Sequence, residues 1–567
     1  MTTALTTASD ASVSEPPADP YPTPRRGWGL ALFASLSALY FAVGAVLVLR
    51  YNMFDPDAPS RVANAGYVVM SRQPHLSAIG FVWNPLPSLV EIPLLQFARW
   101  IPEFKTHGLA GVVQSALFMA GAAVQVRRIT LDRAVPAGWR RLAVACFALH
   151  PMIVIYGASG MSEAAETLCL VWCARHLLRW LSRRRVGDLA WAGVALGLGY
   201  LTRYEVVPAA CGVALLVVIA SHGQRWRHGR FATSLLNAMI VLFPIGTAFV
   251  TWSLTSWIVT GELFATLSSQ YGNESQVAAA AAKGGPLVEA ASSDWVVIAA
   301  RLLGMNPFVG VAVGGAIAYS VVSRRLDLLV PVATFGPVLA FAVWGQYTST
   351  TFGWFRFYLL AVPLVVCLAL VCWPTAPPPR RLSPADNILR RAGAGLLCAS
   401  LLVGFPVTAY AMSDQRIGNQ QLQFGLRSLL DPHTYPPAEQ WYRRLMISDR
   451  AVADYLDRQE LPDGSVLMDT FNTWGIWLAS DDPKQFIITS DYDFTVAVNR
   501  PWESGVQYII ATNPAFTDAD ALNMRYPSLW QDGAGLGKLV FSVFGATGDE
   551  RFRIYRTVEP PPTEPPG

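Results

Sequence analysis

Apolar residues along this chain come in long blocks rather than in short alternations. Windows of about twenty predominantly apolar residues, the length a helix needs to cross a hydrocarbon core, occur near 27–50, 109–126, 141–157, 164–181, 188–202, 206–221, 231–258, 294–322, 327–345, 356–373 and 392–412. The pattern predicts eleven spans. Within 188–221 the run "GLGYLTRYEVVPAA" reads either as a turn between two short helices or as one broken helix, and two helices agree with the charges that follow. The first window is too long for a signal h-region and has no small-residue cleavage site behind it, so it is expected to stay as an anchor. Beyond about residue 413 the blocks stop. There "SVLMD", "FIIT", "VQYIIAT", "KLVFSVF" and "RFRIYRT" are strand-length runs between helix-like stretches, one around 449–459, and predict a small α/β domain over 414–557. Residues 1–24, rich in Thr, Ser, Ala and Pro, and 558–567, with "EPPPTEPPG", predict disordered tails.

Composition agrees with a polytopic helical membrane bundle. Of 567 residues 53% are hydrophobic and only 14% charged, with mean hydropathy +0.34, which excludes an ordinary soluble enzyme. The balance of +4 contains no long basic block, so nothing points to nucleic acid. Lysines are confined to Lys105, Lys283, Lys484 and Lys538, an arginine bias that suggests a GC-rich bacterial genome. Arginines gather at 25–26, 127–141, 183–185, 225–230, 324–325 and 380–391, in alternate connections. By the positive-inside rule those connections and the N-terminus are cytoplasmic. The long loop 51–108 and the C-terminal domain are then extracytoplasmic, in a multi-pass bacterial plasma-membrane protein. All seven cysteines fall inside apolar runs, so no disulfide framework is implied. Cys169 and Cys173, four apart without a nearby His, read as packing residues rather than a metal site.

The polar residues that interrupt this pattern carry the candidate chemistry. In the first outer loop, Asp55 before Pro56 looks like a helix cap, so a structural role stands beside a chemical one. In a helix running on to about residue 70, Asp57, Arg61 and Asn64 share one face; a solvated first turn favouring the helix dipole is the plainer alternative. The apolar stretch 85–101 closing the loop is expected in the membrane interface. "YGASGMSEAAET" places Glu163 and Glu166 in the first turns of the fourth span, and "LTRYE" places Arg203, Tyr204 and Glu205 between the fifth and sixth. Charges at a bilayer line cavities or pair, so an Arg203–Glu205 structural pair competes with a functional reading. Arg356 in "TFGWFRFYLLAVP" opens the tenth span, as an interfacial anchor or as part of a site, with Arg301 as a reserve cation. His150, within the third span, reads as a core histidine. Asp469 is followed by Phe471, Trp474 and Trp477, whose spacing fits a buried helix stripe better than a sugar platform.

In their order along the chain these motifs resemble a family. Asp57, Ala58 and Arg61 after the first span, then "IGFVWNPLPSLVEIPLL", "GMSE" and "LTRYE", look like the GT-C membrane glycosyltransferases, nearest the group similar to protein O-mannosyltransferases and aminoarabinose transferases, over roughly residues 27–373. The resemblance implies a polyprenyl-phosphate sugar donor and an outer-loop aspartate acting as base toward an acceptor hydroxyl. Carried onto this chain that base is Asp57, with Asp55 beside it. Glu163 takes the second carboxylate position, where relatives hold acceptor or a divalent metal, and Arg203 and Arg356 face the lipid phosphate. Arg61 and Glu205 join the expected substrate-binding set. The adjacent acidic pair of the protein O-mannosyltransferases is here split by Pro56, so a cell-envelope glycan, a lipid or a protein remains an equal choice of acceptor. The rival from another class is a multi-spanning transporter or flippase of an envelope precursor; against it, the acidic groups gather at one face and no internal repeat is present.

Overall fold

A computed structural model of the chain describes residues 26–52, 55–222, 230–283, 293–373, 384–414, 416–418, 420–517, 519–545 and 548–558. The expected tails 1–24 and 559–567, and the arginines at 225–227 and 380–381, lie outside the described residues.

Every apolar window is helical, and the windows differ in how well they meet the length and apolarity of a span. By length and apolarity six helices qualify, or eight if the bent pairs Ala137–Ala148 with Pro151–Ala158 and Trp295–Met305 with Val309–Ser323 each count once. The three windows that fall short form the helices Glu163–Arg183, which carries acids at its start and arginines along its length, Val186–Tyr200 and Val206–His222, which are only 15 and 17 residues long. Their shortfall has a packing cause. Helix 163–183 lies against helices 109–132 and 186–200, and 186–200 in turn against 230–260, so much of their surface meets protein instead of lipid. Helix 230–260 presents Phe231, Met239, Phe243 and Ile258 outward, each more than half exposed, as a lipid-facing helix must.

After the first span, α1 (Arg26–Tyr51), the outer loop folds into α2 (Asp57–Met70) and α3 (Leu86–Leu95). Beyond α3, Phe97, Trp100 and Ile101 are exposed, consistent with the interfacial stretch expected over 85–101. All five strand-like runs of the C-terminal part are strands: β1 (Val466–Leu467), β2 (Phe486–Ile487), β3 (Tyr508–Thr512), β4 (Gly537–Phe544) and β5 (Glu550–Thr557). The sheet order is β2-β1-β3-β5-β4, parallel from β2 to β3 and antiparallel from β3 to β4.

This region does not stand apart from the membrane part. Val62, Tyr67 and Leu95 of the outer loop share one hydrophobic core with Trp477, Ile510 and Ile554. Trp477 is fully buried; a Cβ at Gly66 would sit 2.5 Å from its ring, so α2 needs glycine there. Tyr67 meets the same indole edge-on at 4.8 Å, and Lys105 Nζ donates to the Ser480 carbonyl at 2.5 Å. The expected aromatic stripe is thus split: Trp477 is core, while Phe471 packs with tilted rings at 4.9 Å against Tyr271 of the loop after helix 230–260, whose hydroxyl donates to Asp469 at 2.9 Å.

Candidate active site

Four separate chain segments bring the predicted residues to one place. At the start of α2, Asp55 Oδ1 accepts the Asp57 N–H at 3.3 Å and its carbonyl accepts the Ala58 N–H, so it does cap the helix; its other oxygen is held by Arg356. Asp57 accepts from Arg356 Nη2 at 2.7 Å and keeps 27% of its side chain exposed. Arg61, one turn on, is buried with its guanidinium 4.3 Å over the Trp83 ring.

The second segment is the turn into helix 163–183. Gly160 has φ +79° and a Cβ there would lie 3.1 Å from the Gly111 backbone, so only glycine suits this close approach. Ser115 Oγ, from helix 109–132, accepts the Gly160 N–H at 2.9 Å and donates to the Gly157 carbonyl. That turn delivers Glu163 and Glu166 to the cluster. The third segment, the break between helices 186–200 and 206–222, supplies Arg203 and Glu205; the fourth is the 3-10 turn Phe355–Tyr358, which supplies Arg356.

Two guanidiniums hold the carboxylates together. Arg356 reaches Asp55, Asp57 and, through Nε at 3.2 Å, Glu163. Arg203 reaches Glu163 at 2.8 Å, Glu205 at 2.5 Å and Glu166 at 3.5 Å. The Arg203–Glu205 pair expected as a purely structural contact is therefore one edge of a network that contains every predicted site residue except Arg61, which faces it without an ion-pair contact among the described residues. Arg301 ends elsewhere, donating to the Arg416 carbonyl at 3.2 Å. His150 is buried in the helical core, edge-on to Phe405.

Sequence reasoning missed Glu91. It sits on α3 with no exposure, neither carboxyl oxygen has a hydrogen-bond partner among the described residues, and a Cβ at Gly111 would come within 3.4 Å of Oε1. Burial pushes its pKa well above the ordinary carboxylate value, with Arg61 opposing. A lone acid in the apolar run "SLVEIPLL" was the available signal, masked there by an amphipathic reading. Asp57 is also pushed up, to about 6, by burial first and Glu163 next, with Arg61 and Arg203 pulling the other way.

The cluster opens toward a larger space. A cavity of about 1480 Å³ is walled by Tyr200, Tyr204, Phe249 and Trp252 and roofed by Phe264, Leu267 and Val277 of the loop after helix 230–260. Phe341 and Thr351 line both this cavity and the recess over Glu163, Arg203 and Arg356. Among the described residues no group of three His, Cys, Asp or Glu side chains is arranged to hold a metal ion. The carboxylates at the expected metal position point at guanidiniums instead, so no step below runs through a metal.

Residues 109–252, about a quarter of the chain, match the family model described as dolichyl-phosphate-mannose-protein mannosyltransferase. That stretch includes Glu163, Glu166, Arg203 and Glu205. The fold is similar to ArnT from Cupriavidus metallidurans bound to undecaprenyl phosphate, with TM-score 0.53 and 12% identity over 94% of this chain and 98% of that one. The likeness covers the fold over nearly the whole chain and the family model over a quarter of it. The same ArnT in the apo state superimposes with TM-score 0.50 at 13% identity over 94% of this chain and 98% of that one. No curated protein sequence matches this one. At such identity the likeness to ArnT extends to the fold; the roles of the residues in the cluster rest on their own geometry.

Proposed function

We propose that this protein moves a sugar from a polyprenyl-phosphate donor to a hydroxyl of an extracytoplasmic acceptor, which is a cell-envelope glycan, lipid or protein. The observation that carries the reading is the meeting of Asp57 with Arg203 and Arg356 beside a long apolar cavity. A sugar hydroxyl is a poor nucleophile and a phosphate leaving group gathers charge, so the reaction needs a base and fixed cations within one pocket. The ArnT complex named above holds undecaprenyl phosphate, and a cavity lined by Tyr204, Phe249 and Trp252 suits a prenyl chain in the same way.

In this mechanism the acceptor oxygen attacks the anomeric carbon while Asp57 takes its proton. The bond from that carbon to the phosphate oxygen breaks, its electron pair stays on the phosphate, and Arg203 and Arg356 hold the resulting anion bidentately. Arg61 adds a third positive charge and Glu163, with Asp55, Glu166 and Glu205, keeps the arginines in place before donor enters. A coupling follows from the contacts. When donor phosphate draws Arg356 away from Asp57, the carboxylate loses its nearest counter-ion and becomes a stronger base. A flippase would use the cavity but has no need of Asp57. The test is to give purified protein a panel of polyprenyl-phosphate sugars, with and without divalent metal, and to measure release of polyprenyl phosphate. Release with at least one donor is expected; donor transport across vesicles without any release overturns the reading.

A further inference from the structure

At the far end of the segment that Arg356 opens, three arginines crowd one helix terminus. Arg133 donates from Nε to the Leu370 carbonyl at 3.1 Å, from Nη2 to the Val371 carbonyl at 3.0 Å and to Asp327 at 3.3 Å. Arg325 pairs with the same Asp327 at 2.5 Å, and Arg390 donates to the Trp373 carbonyl at 3.5 Å. Among the described residues three positive charges meet one carboxylate and a helix C-terminus worth about half a negative charge, an excess of roughly one and a half positive charges. Arg133 and Arg390 are each only 6% exposed. Among the described residues Arg390 Nε and Arg325 Nη1 are buried donors with no hydrogen-bond partner, a state that costs free energy unless an acceptor arrives.

The surroundings say which acceptor. Trp139 and Trp373 stand 5.3 Å apart at this spot, and Arg391 lies over the Trp373 ring, the aromatic and basic pairing found at a membrane interface. Next to Arg390 in sequence Ile388 and Leu389 are 69% and 58% exposed, and next to Arg325 Val321 and Val322 are 72% and 82% exposed. Such apolar flanks suit acyl chains and would repel a soluble anion's hydration shell. A phosphodiester monoanion supplies the missing charge and accepts from guanidiniums bidentately. We propose that Arg325, Arg390 and Arg133 form a headgroup site for an anionic phospholipid on the arginine-rich face of the bundle, at the end of the 355–372 segment remote from the carboxylate cluster. The proposal depends only on the chain being membrane-embedded.

The experiment uses full-length, delipidated protein in detergent and native mass spectrometry, with phosphatidylglycerol or phosphatidylcholine as probe and glycerol phosphate as the soluble competitor. Phosphatidylglycerol is expected to be retained roughly tenfold or more over phosphatidylcholine, the factor of one charge-assisted hydrogen bond. The difference should vanish in Arg325→Gln with Arg390→Gln and persist in part in the corresponding lysine pair, with melting and monodispersity confirming the fold. Equal retention of the two lipids, or full selectivity in the glutamine pair, overturns the site. Displacement by glycerol phosphate at the lipid's own concentration overturns the lipid assignment in favour of a soluble anion. Should the glutamine pair fail to fold, Arg390→Gln alone and the wild-type lipid comparison decide the matter.

Discussion

Asp57→Asn is the most informative perturbation because the structure sets opposite expectations for stability and turnover. Burial and Glu163 raise the Asp57 pKa from its ordinary 3.8 to about 6. The folded state therefore holds this proton more tightly than the unfolded chain does. Stability falls as pH rises between those two values, and the full cost is present at neutral pH. Two pH units at about 1.4 kcal/mol each give a ceiling of about 3 kcal/mol, which the direct Arg356 contact at 2.7 Å lowers by favouring the anion. Asparagine keeps the shape, still accepts from Arg356 and removes the charge. Melting of the variant is expected to match or exceed wild type, while turnover falls by about 10² to 10⁴, the usual contribution of a general base. The assay pairs thermal melting in detergent with release of polyprenyl phosphate at saturating donor. A folded variant within about tenfold of wild-type turnover, or one that melts well below it, refutes the reasoning.

The same pKa predicts that wild-type turnover drops about tenfold per pH unit below about 6 and levels off above it, read from a pH–rate profile between 4.5 and 8 on protein shown to stay folded. Arg203→Lys keeps the charge but loses the planar fork that reaches Glu163 and Glu205 together, so donor binding should weaken by roughly tenfold or more in a titration with polyprenyl phosphate. Arg203→Ala strips three carboxylates of one counter-ion and should lower stability by about 3 to 5 kcal/mol, seen as a fall in the melting temperature. Trp477→Ala should cost about 3 to 5 kcal/mol in denaturant unfolding and reduce turnover as well, because the indole supports α2, which carries Asp57.

How much of this was legible in the sequence depends on the kind of signal. Apolar windows located every long helix, since lipid exposure demands twenty apolar residues from a helix such as 230–260. Helices 163–183, 186–200 and 206–222 fall short of that length or apolarity, and there neighbouring helices replace lipid and relax the demand. The charged residues at helix ends were visible as exceptions to the apolar pattern, and seven of them converge. Their pairing was not visible: Asp57 and Arg356 are separated by about three hundred residues, and no local spacing announces a contact of that range. Nor was the shared core. Trp477 reads as one face of a helix, and nothing beside it reveals that its partner is Gly66 of the first outer loop.

That shared core changes how the C-terminal domain can be tested. If the C-terminal domain selected acceptor as a separate module, cutting the chain after residue 413 would test it, but the cut would strip Trp477, Ile510 and Ile554 from Val62, Tyr67 and Leu95 and leave a large apolar face open to water. Loss of transfer in such a truncation would therefore follow from a displaced α2 whether or not the domain touches acceptor. The contact that separates the two roles is Tyr271 with Asp469, because it joins the domain to the loop over the cavity without entering the core around α2. Tyr271→Phe removes one hydrogen bond to a carboxylate, worth about 1.5 to 3 kcal/mol, and keeps the ring on Phe471. If the domain acts only as a support for α2, acceptor KM and donor hydrolysis should both stay at wild-type values in this variant. If it helps close the cavity over acceptor, as we expect, acceptor KM rises and donor hydrolysis by water increases, while melting of the α2 core is unchanged.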